Sequence, residues 1–143
     1  MKRFALILSI GFLAFGLLSC GGSSEKKTAE TTKVEVAETA KVMVYYFHSK
    51  QRCKTCLAIQ DVAAQTVEEN FKNNADVKFL ELDFTEKANE AIAEKYEVAG
   101  SSLIIVSDNE HLNLTDVAFG NALRNPNELK DAIVGEINNY LNK

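Results

Sequence analysis

The hydrophobic positions of this chain change period repeatedly after about residue 41, and each change marks an element. Lys41 to Phe47 is a near-continuous apolar run, the pattern of a strand covered on both faces and therefore central in its sheet. From Cys53 to about Asn73 the apolar residues Ile59, Val62, Ala63, Val67 and Phe71 return at helical spacing, which predicts a helix of several turns. Val77 to Asp83 reads as a second strand, and Thr85 to about Tyr96 as a short helix with Ala88, Ile92 and Tyr96 on one face. Leu103 to Val106 is a third strand. The turn Ser107-Asp108-Asn109-Glu110 leads into a fourth, His111 to Val117, where Leu112 and Leu114 alternate with polar residues. Gly120, after Phe119, reads as a loop bend. The last helix is the best signalled: Asn125 as N-cap, Pro126 at the first helical position, Glu128 as capping-box acid, then Leu129, Ile133 and Ile137 with Tyr140 or Leu141 as its buried stripe. Strands interleaved with helices make this an α/β or α+β domain of about 100 residues.

The first forty residues follow different rules. Met1-Lys2-Arg3 is basic, and Phe4 to Leu18 is an apolar run of about 15 residues, the length of an export signal and short for a membrane span. The run ends in Leu17-Leu18-Ser19-Cys20-Gly21-Gly22, which resembles the lipobox of bacterial lipoproteins. That resemblance implies cleavage after Ser19, acylation of Cys20, and a membrane-anchored lipoprotein outside the cytosol, on a periplasm-facing or extracellular surface. Gly21 to about Ala40 is rich in Gly, Ser, Glu, Lys and Thr, with Val34 and Val36 as its valines and no aromatic residue, so it buries too little to fold and reads as a tether. The expected organisation is a signal peptide at 1–19, a lipid-anchored flexible linker at 20–40 and a folded domain at 41–143.

Composition fits such a domain, with 46% hydrophobic and 25% charged residues, so its core needs neither metals nor additional disulfides. The formal charge is −4, and loss of Lys2 and Arg3 with a leader makes the rest more acidic, which disfavours nucleic acid as a partner. No glycine-rich phosphate loop is present, and Asp83, Glu86 and the other acids form no recognisable pair of catalytic carboxylates.

Candidate chemistry resides in Cys53-Lys54-Thr55-Cys56. The chain has three cysteines; Cys20 belongs to the leader, and the other two stand one helical turn apart just after the first strand. A sulfur at the start of the following helix faces unpaired N–H groups and the positive end of the helix dipole, which favour a thiolate. Lys50, Arg52 and Lys54 add positive charge in an otherwise acidic chain, Arg52 being the strongest candidate to support Cys53. A zinc knuckle uses the same spacing but needs a second ligand pair, which is lacking.

Taken together, the order strand, CxxC, long helix, strand, short helix, strand, hairpin strand, final helix, and the segment Tyr96-Glu97-Val98-Ala99-Gly100-Ser101-Ser102-Leu103-Ile104 entering the third strand, resemble the thioredoxin superfamily from about 41 to 143. The resemblance implies a thioredoxin-like α/β fold, a central mixed sheet of about four strands flanked by helices, and a membrane-tethered thiol–disulfide oxidoreductase. Cys53 would be the nucleophile and Cys56 the resolving thiol, the two forming a disulfide in the oxidised form. Partners would be exported protein thiols or disulfides, with a membrane electron donor or acceptor, and no cofactor. Three features differ from the family. There is no tryptophan, and Lys54-Thr55 separate the cysteines; Ser102 stands where the family has a cis-proline, the sole proline being Pro126; and Tyr45 and Tyr46 replace a buried acid. These differences leave two other readings. His48, Cys53 and Cys56, with the Ser102 hydroxyl nearby, have the ligand types for copper or zinc. The domain could instead serve as a redox-inactive interaction module.

Overall fold

Strand β1 (Val42–His48) lies inside a four-stranded sheet of order β2-β1-β3-β4, as its continuous apolar sequence requires. The computed structural model describes residues 40–108 and 110–143. The leader, Cys20 and nearly all of the predicted tether fall outside the described residues. Beside β1 run β2 (Val77–Asp83), parallel and starting level with it at Val42↔Val77, and β3 (Ser102–Ser107), antiparallel with Phe47 opposite Ser102. The outer strand β4 (Glu110–Asn113) pairs antiparallel with β3. The sheet is mixed and has four strands, as expected.

Because successive residues of a strand face opposite sides, β1 feeds two cores. Val42, Val44 and Tyr46 join Leu103 and Ile105 against helix α1 (Lys54–Phe71) and helix α4 (Pro126–Leu141), which contribute Ile59, Val62, Ala63 and Val67, and Leu129, Ile133, Ile137 and Tyr140. Met43, Tyr45 and Phe47 join Leu82, Ile104 and Val106 on the other face, under Ala93 and Tyr96 of the segment around helix α2 (Glu90–Lys95). The predicted stripes of both long helices are the buried ones.

The shorter elements depart from expectation. The expected helix from Thr85 is divided: Thr85 is held in a turn by Asp83, whose carboxylate accepts its N–H at 2.8 Å and its hydroxyl at 2.6 Å, and one 3₁₀ turn precedes α2. Ala88 is consequently exposed, and Asn89 is buried instead, donating to the carbonyl of Asp83 at 2.9 Å. The expected strand to Val117 stops at Asn113. There the Asn113 side chain accepts the Thr115 N–H at 2.9 Å, and the Thr115 hydroxyl accepts the Leu103 N–H at 3.1 Å, so the chain turns at the sheet end into a third helix, α3 (Thr115–Asn121). Leu114 goes into the core rather than alternating along a strand, and Gly120 lies within α3, not in a loop bend. Pro126 opens α4 as predicted, but Asn125 makes no side-chain cap; its backbone carbonyl accepts the Glu128 N–H at 3.0 Å in place of a capping box.

Candidate active site

Cys53 is the N-cap of α1 and is exposed, whereas Cys56, one turn inside the helix, is 7% exposed. The two are joined in a disulfide with Cα atoms 5.0 Å apart. The Cys53 sulfur also accepts the Cys56 N–H at 3.1 Å, so this atom, rather than a Ser or Asp oxygen, satisfies one of the unpaired donors of the first turn. That turn carries no acidic residue to oppose a thiolate there.

Beside the disulfide lies a cluster of polar groups drawn from three elements. Glu81, on β2, accepts from the Arg52 guanidinium at 2.8 Å and lies 2.9 Å from His48 Nε2. Gln60, on α1, closes a triangle: it accepts from Arg52 and donates to the second oxygen of Glu81. The guanidinium sits over the Tyr46 ring, 5.7 Å from its centroid. Arg52 Nε is buried and, among the described residues, has no hydrogen-bond partner. Tyr46 in turn donates to the Cys56 carbonyl at 2.8 Å. Burial pushes the Tyr46 phenol above its ordinary pKa, against the opposing pull of Arg52 and of contacts with Arg52 and Ser101; Glu81 adds to the rise. The phenol is therefore a neutral donor at physiological pH.

On the other side of the pair, the Ser101 hydroxyl points at the Cys56 sulfur at 4.0 Å, the outer limit of a bond to sulfur. Ser102 is buried and donates to the Gly100 carbonyl at 3.0 Å, within its own loop.

Neither a family model nor a curated protein sequence matches the chain. Solved structures do. Human ERp44 aligns with 81% of this chain and 30% of its own, at 18% identity and a TM-score of 0.50. Mitochondrial thioredoxin 3 from Saccharomyces cerevisiae, in its oxidized form, aligns over 68% of this chain and 81% of that one, at 18% identity and a TM-score of 0.45. A malarial protein aligns over 67% and 96%, at 19% identity and a TM-score of 0.47. The domain has a thioredoxin-like fold.

Within this thioredoxin-like frame the sequence candidates divide. Cys53 and Cys56 come together at the end of β1, as expected, and a pair at disulfide distance supports a thiol–disulfide redox role. His48 ends β1, with its Nδ1 3.0 Å from the Ser49 carbonyl and its Nε2 on Glu81, so both ring nitrogens face oxygens rather than sulfurs. No group of three metal-binding side chains converges among the described residues. Lys50 and Lys54 are exposed, and Arg52 is bound into the cluster. Ser101 occupies the position beside the dithiol that was expected of Ser102.

Three contributors escaped sequence reading, Gln60, Glu81 and Ser101, while the sequence shows Tyr46 only as standing in place of a buried acid. Glu81 could have been found by starting the two parallel strands level, since that register sets it beside Tyr46. Gln60 stands seven residues after Cys53, two helical turns along the same face.

Proposed function

We propose that this domain carries out thiol–disulfide exchange through Cys53 and Cys56. One observation carries the reading: an exposed cysteine at a helix N-cap is disulfide-bonded to a buried cysteine one turn later. In the reducing direction the Cys53 thiolate attacks a substrate disulfide. A bond forms between its sulfur and one substrate sulfur, and the other substrate sulfur leaves as a thiolate. The Cys56 thiolate then attacks the Cys53 sulfur of the mixed disulfide and expels the second substrate thiolate. Two electrons pass to the substrate, and the Cys53–Cys56 disulfide remains. The reverse sequence oxidises a substrate dithiol. Burial suits Cys56 to this second, intramolecular step, since it is shielded from outside disulfides and is already one turn from its target.

The substrates we propose are exported protein thiols or disulfides, met at a membrane surface to which Cys20 anchors the chain, with a membrane donor or acceptor resetting the pair. The leader pattern of residues 1–20 supports this part. Among the described residues no helix is long and apolar enough to cross a membrane. Fatty-acid labelling of the expressed chain, lost in Cys20→Ser, checks the anchor.

The deciding experiment is redox titration of the full chain carrying Cys20→Ser, against glutathione. A reversible two-electron couple between about −120 and −270 mV, the span of dithiol oxidoreductases, is expected. A pair that never titrates reversibly overturns the reading.

A further inference from the structure

We infer that Glu81 is a positioning residue that restrains the reactivity of Cys53 by engaging the charge of the Arg52 guanidinium. The inference rests on the exchange reading above and adds a control on its first step.

Arg52 immediately precedes Cys53 and, unlike the exposed Lys50 and Lys54, is partly buried in the polar cluster. With the disulfide closed, its charge is already taken. One guanidinium nitrogen donates to Glu81 at 2.8 Å and the other to Gln60, and the plane rests over Tyr46. Gln60 binds both partners and so locks the pair. The group is nevertheless incompletely satisfied: Nε is buried without a partner among the described residues, which carries a cost of its own. When reduced Cys53 ionises, a negative sulfur stands at the adjacent residue, and Glu81 and that sulfur then compete for one guanidinium. His48 also lies on Glu81 at 2.9 Å, giving the carboxylate a second partner when Arg52 shifts.

The groups facing Glu81 are His48 and Tyr46 from β1, Arg52 from the loop and Gln60 from α1. Neutralising Glu81 frees the guanidinium for the thiolate. It also removes a nearby negative charge, and both changes favour the thiolate. The distinctive consequence is that most of the effect travels through Arg52.

The test is the pH dependence of iodoacetamide alkylation at Cys53, read by mass spectrometry on the reduced full-length chain. That readout needs no turnover, so it stands even where the redox titration fails. Glu81→Gln keeps the shape and one hydrogen-bonding oxygen, and is expected to lower the Cys53 thiol pKa by about one unit, the lower end of the effect of a nearby charge. The matching shift in reduction potential is about 30 mV in the oxidising direction, the equivalent of tenfold for a two-electron couple. In an Arg52→Gln background the same substitution is expected to move the pKa by less than half as much. Gln60→Leu, which loosens the lock without changing charge, is expected to shift it in the same direction by a smaller amount. An unchanged or raised pKa in both Glu81→Gln and Gln60→Leu overturns the inference, as does a full-sized Glu81→Gln effect without Arg52.

Discussion

The Tyr46 phenol donates a 2.8 Å hydrogen bond to the carbonyl of Cys56, tying the centre of the sheet to the first turn of the helix that carries the dithiol. Both partners are buried, and burial keeps the phenol protonated. Tyr46→Phe retains the ring under Arg52 and removes only this donor. The expected cost is about 1 to 2 kcal/mol, the net hydrogen bond plus part of the penalty for a buried acceptor left without it. Urea unfolding of the oxidised chain, followed by far-ultraviolet circular dichroism, measures it. An unchanged midpoint would show that the strand does not hold the helix through this bond.

The same phenol sets an alkaline limit. Burial raises the pKa of Tyr46, and burial with Glu136 and Glu110 nearby raises that of Tyr140. Below about pH 10 both phenols are protonated whether the chain is folded or not, and their contribution to stability is fully present. Above it the unfolded chain ionises while the folded chain resists, so stability falls as pH rises toward the folded values. Melting temperature between pH 8 and 11 should drop more steeply for the parent chain than for Tyr46→Phe. Equal slopes would contradict the raised Tyr46 value.

Ile133 tests which parts of the fold carry its stability. It is 0% exposed on α4 against β1 and β3, whereas Leu123, just past α3, is 61% exposed. Ile133→Ala should cost about 2 to 5 kcal/mol, the range for a buried aliphatic truncation. Leu123→Ala should stay within about 0.5 kcal/mol, as surface changes do. Chemical denaturation of the two variants side by side is sufficient.

The long elements were legible because their burial is written into spacing. Lys41 to Phe47 reads as central because both its faces are covered, and Ile59 to Phe71 and Leu129 to Ile137 read as stripes because each helix covers one face. The break after Asn113 was not legible. Leu112 and Leu114 alternate as a strand would, and the turn there depends on the Leu103 N–H finding Thr115, twelve residues away in sequence. Glu128 looked like a capping acid because local sequence supplies the motif but not the backbone geometry that closes it. At the site, Cys53 and Cys56 were visible because their spacing is local. Glu81 was hidden because its meaning comes from pairing across the sheet with Tyr46, and Asp83 and Glu86 nearby offer the same residue type without that placement.

Ser101 and Ser102 are adjacent, chemically identical, and differently placed. The Ser101 hydroxyl is aimed at the Cys56 sulfur at 4.0 Å, whereas that of Ser102 is spent on Gly100 at 3.0 Å. A hydroxyl donating to sulfur stabilises the thiolate more than the thiol, so Ser101→Ala should leave the Cys56 thiolate scarcer at a given pH. A weak bond of roughly 0.5 to 1.5 kcal/mol corresponds to between about twofold and tenfold. In exchange with oxidised glutathione, the mixed disulfide on Cys53 should therefore persist longer in Ser101→Ala by that factor, which rapid acid quench and mass spectrometry resolve. Ser102→Ala should lower stability by about 1 kcal/mol through its loop and leave that lifetime unchanged. Reversal of the two outcomes would place the hydroxyl that serves Cys56 at Ser102, where the sequence first suggested it.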